Sequence, residues 1–135
     1  MIILMRNDKS LVITKSSKIY RQENIVDKLT IYVPVTYEDA DLTRYTAQLV
    51  YVDGAYDVHT EELIPSDTSD KEGYIQFVLP ITTAITNVVG EVAMHLNLSY
   101  TETDMETGEE TNYVLRTGKA SFNVLPWTDS FSLGN

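Results

Sequence analysis

The strongest alternation of apolar and polar residues in the chain is Val92-Ala93-Met94-His95-Leu96-Asn97-Leu98-Ser99-Tyr100. Its even-numbered positions hold Val, Met, Leu, Leu and Tyr, whereas Ala, His, Asn and Ser stand between them. Successive side chains of a β-strand point to opposite faces of a sheet, so this period of two predicts a strand. One face of that strand should be buried and the other should lie in water.

Three shorter segments repeat this alternation, and each of them stops at a proline. They are residues 28–34, 74–80 and 119–126, with proline as the last residue of each. Proline has no N–H to donate to a sheet ladder, so it marks the end of each strand. The inward-facing rows that the alternation predicts are Leu29, Ile31 and Val33, then Ile75, Phe77 and Leu79, and finally Ala120, Phe122 and Val124.

Weaker strand signals lie at residues 11–14, 45–52 and 113–116. Asp53-Gly54 directly follows the second of these, and it predicts a hairpin because glycine adopts the positive φ of a tight turn. Residues 102–111 are polar and lie between two strand patterns, which predicts an antiparallel hairpin with a long polar tip.

Helical signals are confined to residues 81–89 and 38–42, each long enough for one short helix or turn at most. Seven or eight strands separated by turns are typical of an antiparallel β-sandwich. We therefore predict an all-β sandwich domain over residues 10–126. Residues 1–9 are predicted to form an N-terminal arm or a first strand, and residues 127–135 a C-terminal tail or the start of a linker.

The composition is that of a globular and acidic protein. Among the 135 residues, 43% are hydrophobic and the formal net charge is −10. Such a charge repels nucleic acids and anionic membrane surfaces, so neither is an expected partner. The chain has no cysteine, which excludes disulfides and thiolate metal sites. Nothing approaches the roughly 18 consecutive apolar residues of a membrane helix.

The sequence offers no arrangement for catalysis. Its two histidines, His59 and His95, stand in no motif. There is no glycine-rich phosphate loop, no Gly-x-Ser-x-Gly and no HExxH. Residues 104–110 have carboxylates around a glycine, but their spacing is not that of an EF-hand and strands flank them. A solvated hairpin tip is therefore favoured, and calcium binding at 102–111 stays open. We predict no enzyme activity and no catalytic, cofactor or metal site.

The two ends of the predicted domain carry further patterns. At residues 18–34 (KIYRQENIVDKLTIYVP), a short polar turn with Glu23-Asn24 leads through Asp27-Lys28 into an apolar strand. At residues 113–125 a strand returns from the acidic tip into a Phe122-x-Val124 strand. In both segments the chain resembles the N-terminal domain of phage baseplate upper proteins, and the order of the elements between them is similar.

The resemblance implies a β-sandwich at the upper tier of a phage or prophage tail baseplate. Such a domain is a non-enzymatic structural protein that holds receptor-binding proteins to the distal tail. The implied protein forms homo-oligomers, contacts other tail proteins, resides in the virion and is assembled in the bacterial cytoplasm. Family members usually continue into a helical linker and further domains, whereas this sequence ends at Asn135. We therefore expect a fragment or a shorter relative.

Aromatic side chains are the expected contact points of such a protein, because a tyrosine ring packs while its hydroxyl binds water or a partner. The chain has nine tyrosines. The face assignment leaves five candidates, each of which is core or frayed terminus in the other interpretation: Tyr32, Tyr37, Tyr45, Trp127 and Phe131. The alternative function is a carbohydrate-binding β-sandwich module in host-surface recognition. It needs a coplanar Trp or Tyr platform, and the single tryptophan in the tail gives this little support.

Overall fold

The computed structural model describes residues 1–126, so Trp127 and Phe131 of the tail lie outside the described residues. The strands are β1 (Ile2–Met5), β2 (Leu11–Lys15), β3 (Ile19–Tyr20), β4 (Lys28–Pro34), β5 (Thr36–Tyr37), β6 (Ala40–Asp41), β7 (Thr46–Val52), β8 (Val58–Leu63), β9 (Tyr74–Pro80), β10 (Gly90–Thr103), β11 (Glu110–Arg116) and β12 (Ala120–Leu125). The helical elements are a 3-10 turn (Leu42–Arg44) and a one-turn α1 (Thr83–Thr86). Within these residues, no helix is long and apolar enough to span a membrane.

Two sheets form a β-sandwich, which confirms the predicted fold class. One sheet has the strand order β2-β1-β4-β9, and the other has the order β3-β12-β10-β7-β8 with β11 paired to β10. The pairing is antiparallel except for β1 with β4 and β12 with β3, which are parallel. In each of these two pairs, the chain visits the other sheet between the paired strands, so the second strand can enter its sheet in the same direction as the first. The structure has twelve strands in its described part against the seven or eight predicted, and three of them, β3, β5 and β6, have only two residues each.

The core lies between the sheets and is built from the predicted inward rows. In β4 the side chains of Leu29, Ile31 and Val33 are fully buried. Phe77 of β9 is buried too, while its neighbours on the same face are half-buried because β9 is an edge strand that packs against the core rim. The rows of β10 and β12 fill the core from the other sheet: Val92, Met94, Leu96, Leu98, Ala120, Phe122 and Val124.

The N-terminal residues belong to the fold. Residues 2–5 of this stretch form β1. β1 lies inside its sheet between β2 and β4, and its Ile3 and Met5 are fully buried.

Both predicted hairpins are present. β7 and β8 pair across the Asp53-Gly54 turn, but the residue there with a positive φ is Tyr56, at +65°. Glycine is needed at position 54 for space, because a Cβ atom there would lie 2.4 Å from the carbonyl oxygen of Val89. β10 and β11 form the long hairpin, whose tip contains Gly108 at a φ of +74°.

Candidate functional site

The longest strand runs past the end of the core. β10 has 14 residues, and its last residues pair with β11 alone. Its inward row continues from buried Leu98 to half-buried Tyr100 and exposed Glu102. Tyr100 lies directly opposite Tyr113 of β11, so both rings leave the sheet on the same face. At this end the apolar core therefore gives way to an open aromatic surface.

Three tyrosines form a row on this surface. The ring centroids of Tyr45 and Tyr100 are 5.6 Å apart with an angle of 33° between the ring planes. Those of Tyr100 and Tyr113 are 6.2 Å apart with an angle of 22°. Each such pair contributes about 0.5–1.5 kcal/mol beyond its buried area. Tyr113 is the outermost ring of the row, and 42% of it is exposed.

Arg44 closes the row from one side. Its guanidinium carbon lies 4.9 Å from the ring centroid of Tyr100, and Nη2 donates a hydrogen bond of 2.8 Å to the Tyr100 hydroxyl. The 3-10 turn holds Arg44 in place: Leu42 is buried at its start, and the backbone N–H of Thr43 donates to Asp41 Oδ1. The Thr43 hydroxyl donates to the same oxygen, and this bond together with the backbone one lowers the pKa of Asp41.

The concavity beside the rings has a volume of about 380 Å³, and we call it the tyrosine cleft. Its lining comprises Asp39, Ala40, Asp41, Arg44, Tyr45, Tyr100, Glu102 and Tyr113. The Tyr113 hydroxyl donates to Glu102 Oε2 at 3.3 Å, and the negative charge of Glu102 raises the pKa of that phenol. Over residues 1–126, the one carboxylate with a basic nitrogen within 4 Å is that of Asp53, outside the cleft. Within the described residues, the three carboxylates that line the cleft therefore have no basic nitrogen within 4 Å, although Arg44 lies close enough to lower the pKa of Asp41.

The predicted contact residues have different surroundings. Tyr45 forms part of the tyrosine cleft. Tyr37 is half-buried beside it, paired in β5 with Ala40, and its ring lies 5.9 Å from the Lys9 amine. Tyr32 leaves β4 on the outer face, and its side chain is 9% exposed.

Tyr32 stands on a central strand between Leu4 of β1 and Gln76 of β9, and the ring of Tyr74 packs edge-on against it at 6.4 Å. Tyr32 therefore offers little surface to a partner. Trp127 and Phe131 stay outside the described residues.

Sequence reasoning missed two of the three rings of the cleft. Tyr100 was assigned to the inward row of its strand, and Tyr113 to a weak strand without a face. The available signal was length, since the alternation from Val92 through Glu102 exceeds the seven-residue strands that face it. When the inward-facing side chains of a strand outnumber those of the sheet opposite, the last of them must lie beyond the end of the core.

The histidines do not form a catalytic arrangement. His59 Nε2 bonds to the buried carboxylate of Asp53 at 2.9 Å, and its ring stacks on Tyr51 with centroids 4.8 Å apart. Asp53 also accepts from the backbone N–H groups of the turn, and its pKa is lowered chiefly by His59. Burial raises the pKa of Tyr51 to about 12, with smaller effects from Glu61 and Asp53. In the described chain no serine or threonine hydroxyl bonds to either histidine.

A second concavity of about 410 Å³ lies at the opposite end of β10, on the outer face of the larger sheet. Val50, Val52 and Ala93 form its floor, with His95 and the 87% exposed Tyr56 at its border. The acidic hairpin tip has its own hydrogen bonds, since Asp104 Oδ1 accepts from the Glu106 N–H at 2.8 Å. Residues 1–126 contain no group of three or more His, Asp or Glu side chains placed to hold a metal ion.

Comparisons with known proteins identify the fold. No protein-family model matches the chain, and no curated protein matches it. Among solved structures, it is similar to the N-terminal domain of ORF48 of phage TP901-1, with a TM-score of 0.51 and 13% sequence identity. The match covers 92% of this chain and 96% of that domain. The chain thus shares its fold with a phage protein domain of the kind that the resemblance at residues 18–34 and 113–125 implied.

Proposed function

We propose that this chain is a non-enzymatic structural protein of a phage or prophage tail baseplate, where it holds receptor-binding parts to the tail. The observation that carries the proposal is the fold shared with the N-terminal domain of phage TP901-1 ORF48 over nearly the whole of both chains. The sequence resemblance at the two ends of the domain supports the same assignment.

The surface suits a role in assembly. A sandwich built on a continuous core is rigid, and the tyrosine cleft provides half-exposed rings with polar edges, which are enriched at protein interfaces. β11 pairs only with β10 among the described strands, so its other edge is open to a neighbour. These features favour contacts with proteins over the binding of a small substrate.

The proposed partners are the distal tail and receptor-binding proteins, together with further copies of this chain. The proposed location is the virion tail, after assembly in the cytoplasm of the bacterial host. Net charge −10 argues against nucleic acid as a partner and against insertion into an anionic membrane.

The second candidate function is a carbohydrate-binding module, and the tyrosine cleft is the observation that favours it. Sugars bind on open aromatic faces beside Asp or Asn side chains, and Asp39 and Asp41 do border the rings. However, the central ring of Tyr100 has tyrosines at 5.6 and 6.2 Å and the Arg44 guanidinium at 4.9 Å. The faces of the Tyr100 ring are therefore covered by these neighbours and are not open to a sugar. A glycan array tests this function, and specific glycan binding that is lost in Tyr113→Ala would establish it.

The assembly role is tested by co-expression with the products of the neighbouring genes, followed by size-exclusion chromatography with light scattering. We expect a stable complex well above the 15.3 kDa of the monomer. A strict monomer that binds none of these proteins would contradict the proposal. Tyr113→Ala provides the variant for the cleft, and Val78→Ala, on the outer face of β9, provides the matched control.

A further inference from the structure

We propose that the tyrosine cleft binds an arginine side chain within a basic, extended segment of a partner protein. This inference rests on the proposed function, because it names the chemistry of the partner at the same site.

The negative charge of the cleft favours a cationic ligand. Asp39, Asp41 and Glu102 border it, and Arg44 is its single basic group. The guanidinium of Arg44 is bonded to the Tyr100 hydroxyl and is not within 4 Å of any of the three carboxylates. Glu102 also raises the pKa of the Tyr113 phenol, to which it is bonded. A bound cation would offset this negative charge.

The tyrosine rings are the second feature of the cleft that favours a guanidinium. A guanidinium is attracted to the face of an aromatic ring and hydrogen-bonds in the plane of its own fork. Arg44 already shows this geometry on Tyr100, with 4.9 Å to the centroid and 2.8 Å to the hydroxyl oxygen. Tyr113 is the outermost ring, with one ring neighbour and 42% exposure, so its ring is open to a second guanidinium. Glu102, bonded to the Tyr113 hydroxyl, stands within reach of that group.

The dimensions indicate a segment and not a folded surface. A cleft of about 380 Å³ accommodates one long side chain and its backbone. Beyond Glu102 the hairpin tip continues with exposed carboxylates of Asp104, Glu106 and Glu109. A partner segment with two basic residues would place one in the cleft and the next beside the tip. Arginine is preferred to lysine because its planar group both stacks and forms bidentate bonds to carboxylates.

The test is an NMR titration of the ¹⁵N-labelled chain with the blocked peptide Gly-Arg-Gly-Arg-Gly, followed at the amides of Ala40 and Arg44, in about 50 mM salt. The same peptide with citrulline in place of arginine is the neutral probe. The cleft variant is Asp39→Asn with Glu102→Gln, which keeps the shape of both side chains and an acceptor for Tyr113. The control variant, Asp57→Asn with Glu91→Gln, changes the net charge equally.

The control pair is remote from the cleft. Glu91 lies eleven residues before Glu102 on β10, which corresponds to about 35 Å along the strand. We expect the arginine peptide to shift the cleft amides and the citrulline peptide to leave them unchanged. The cleft variant should weaken binding about fivefold, and the control by less than about twofold, because only the former removes carboxylates next to the bound group.

Three results would overturn the inference. They are no shift at the cleft amides, equal binding of the citrulline peptide, or equal weakening by the two variants. The last would mean a general attraction of a basic peptide to an acidic protein. Each of these leaves the assembly experiment of the proposed function unaffected, because that experiment measures complex formation with whole tail proteins. A chain that binds the peptide but forms no complex would instead contradict the proposed function.

Discussion

Replacing Gly54 with alanine should lower the melting temperature strongly, because the turn after β7 packs directly on the chain that leads into β10. The added Cβ atom would lie 2.4 Å from the carbonyl oxygen of Val89 and 3.2 Å from Cγ1 of Val88. A carbon and a carbonyl oxygen in contact need about 3.3 Å, so one of two backbone segments must move by about 1 Å. Gly90, whose own Cβ would lie 3.3 Å from the Gly54 Cα, leaves little room for that movement.

Overpacking of this kind costs about 3 kcal/mol. The entropy of unfolding is about 2.1 cal/mol/K per residue, or about 0.28 kcal/mol/K for a chain of 135 residues. A loss of about 3 kcal/mol therefore lowers Tm by about 10 °C. Differential scanning calorimetry of the wild type and Gly54→Ala measures this directly.

Gly118→Ala is the matched control. The nearest atom to its added Cβ would be the Lys9 carbonyl oxygen at 3.9 Å, which is an ordinary contact. We expect its Tm to lie within about 2 °C of the wild type. If Gly54→Ala melted together with Gly118→Ala, the close packing of the two turns would be refuted.

Three further predictions concern buried polar groups. Asp53→Asn should cost about 2 kcal/mol of stability at neutral pH, because the charge-assisted bond to His59 is lost. Folding lowers the Asp53 pKa below 3.8, so this contribution is present above that pH and is lost as the pH falls through the lowered value. Urea denaturation should therefore show the difference in stability shrink in acid, and a pH-independent difference would contradict this prediction. Tyr51→Phe should raise stability by about 1 kcal/mol, since it removes a buried hydroxyl without a partner among residues 1–126; a loss of that size would be inconsistent. Thr117→Val should cost about 2 kcal/mol, because the Leu96 N–H donates to the Thr117 hydroxyl at 2.9 Å inside the fold, whereas Thr117→Ser should melt near the wild type.

Much of the fold follows from local patterns. The row Leu29, Ile31 and Val33 is fully buried as the period of two predicts, because alternation is a property of each strand by itself. The parallel pairing of β1 with β4 was not predictable in this way. It depends on where the chain returns after crossing to the other sheet, and no residue within either strand encodes that path.

The candidate site was predictable only in part, for the same reason. Tyr45 was recognised from its position near an acidic turn, but its two ring neighbours depend on how far β10 extends past the opposite sheet. Tyr32 was expected at the surface because alternation fixes its face; the covering ring of Tyr74 comes from another strand. Gly54 was predicted at the right turn for the wrong reason, since its conflict with Val89 is a contact between distant segments.

Photo-crosslinking from the tyrosine cleft during tail assembly tests whether this surface binds another tail protein. Tyr113 is replaced by p-benzoyl-L-phenylalanine, which keeps an aromatic ring at the cleft, and Val78 on the outer face of β9 receives the same group as the control. Cells that produce the complete tail are irradiated, and the products are sequenced by mass spectrometry. We predict a crosslink from position 113 to an arginine-containing segment of another tail protein and no such product from position 78. No crosslink from position 113, or the same product from both positions, would contradict it.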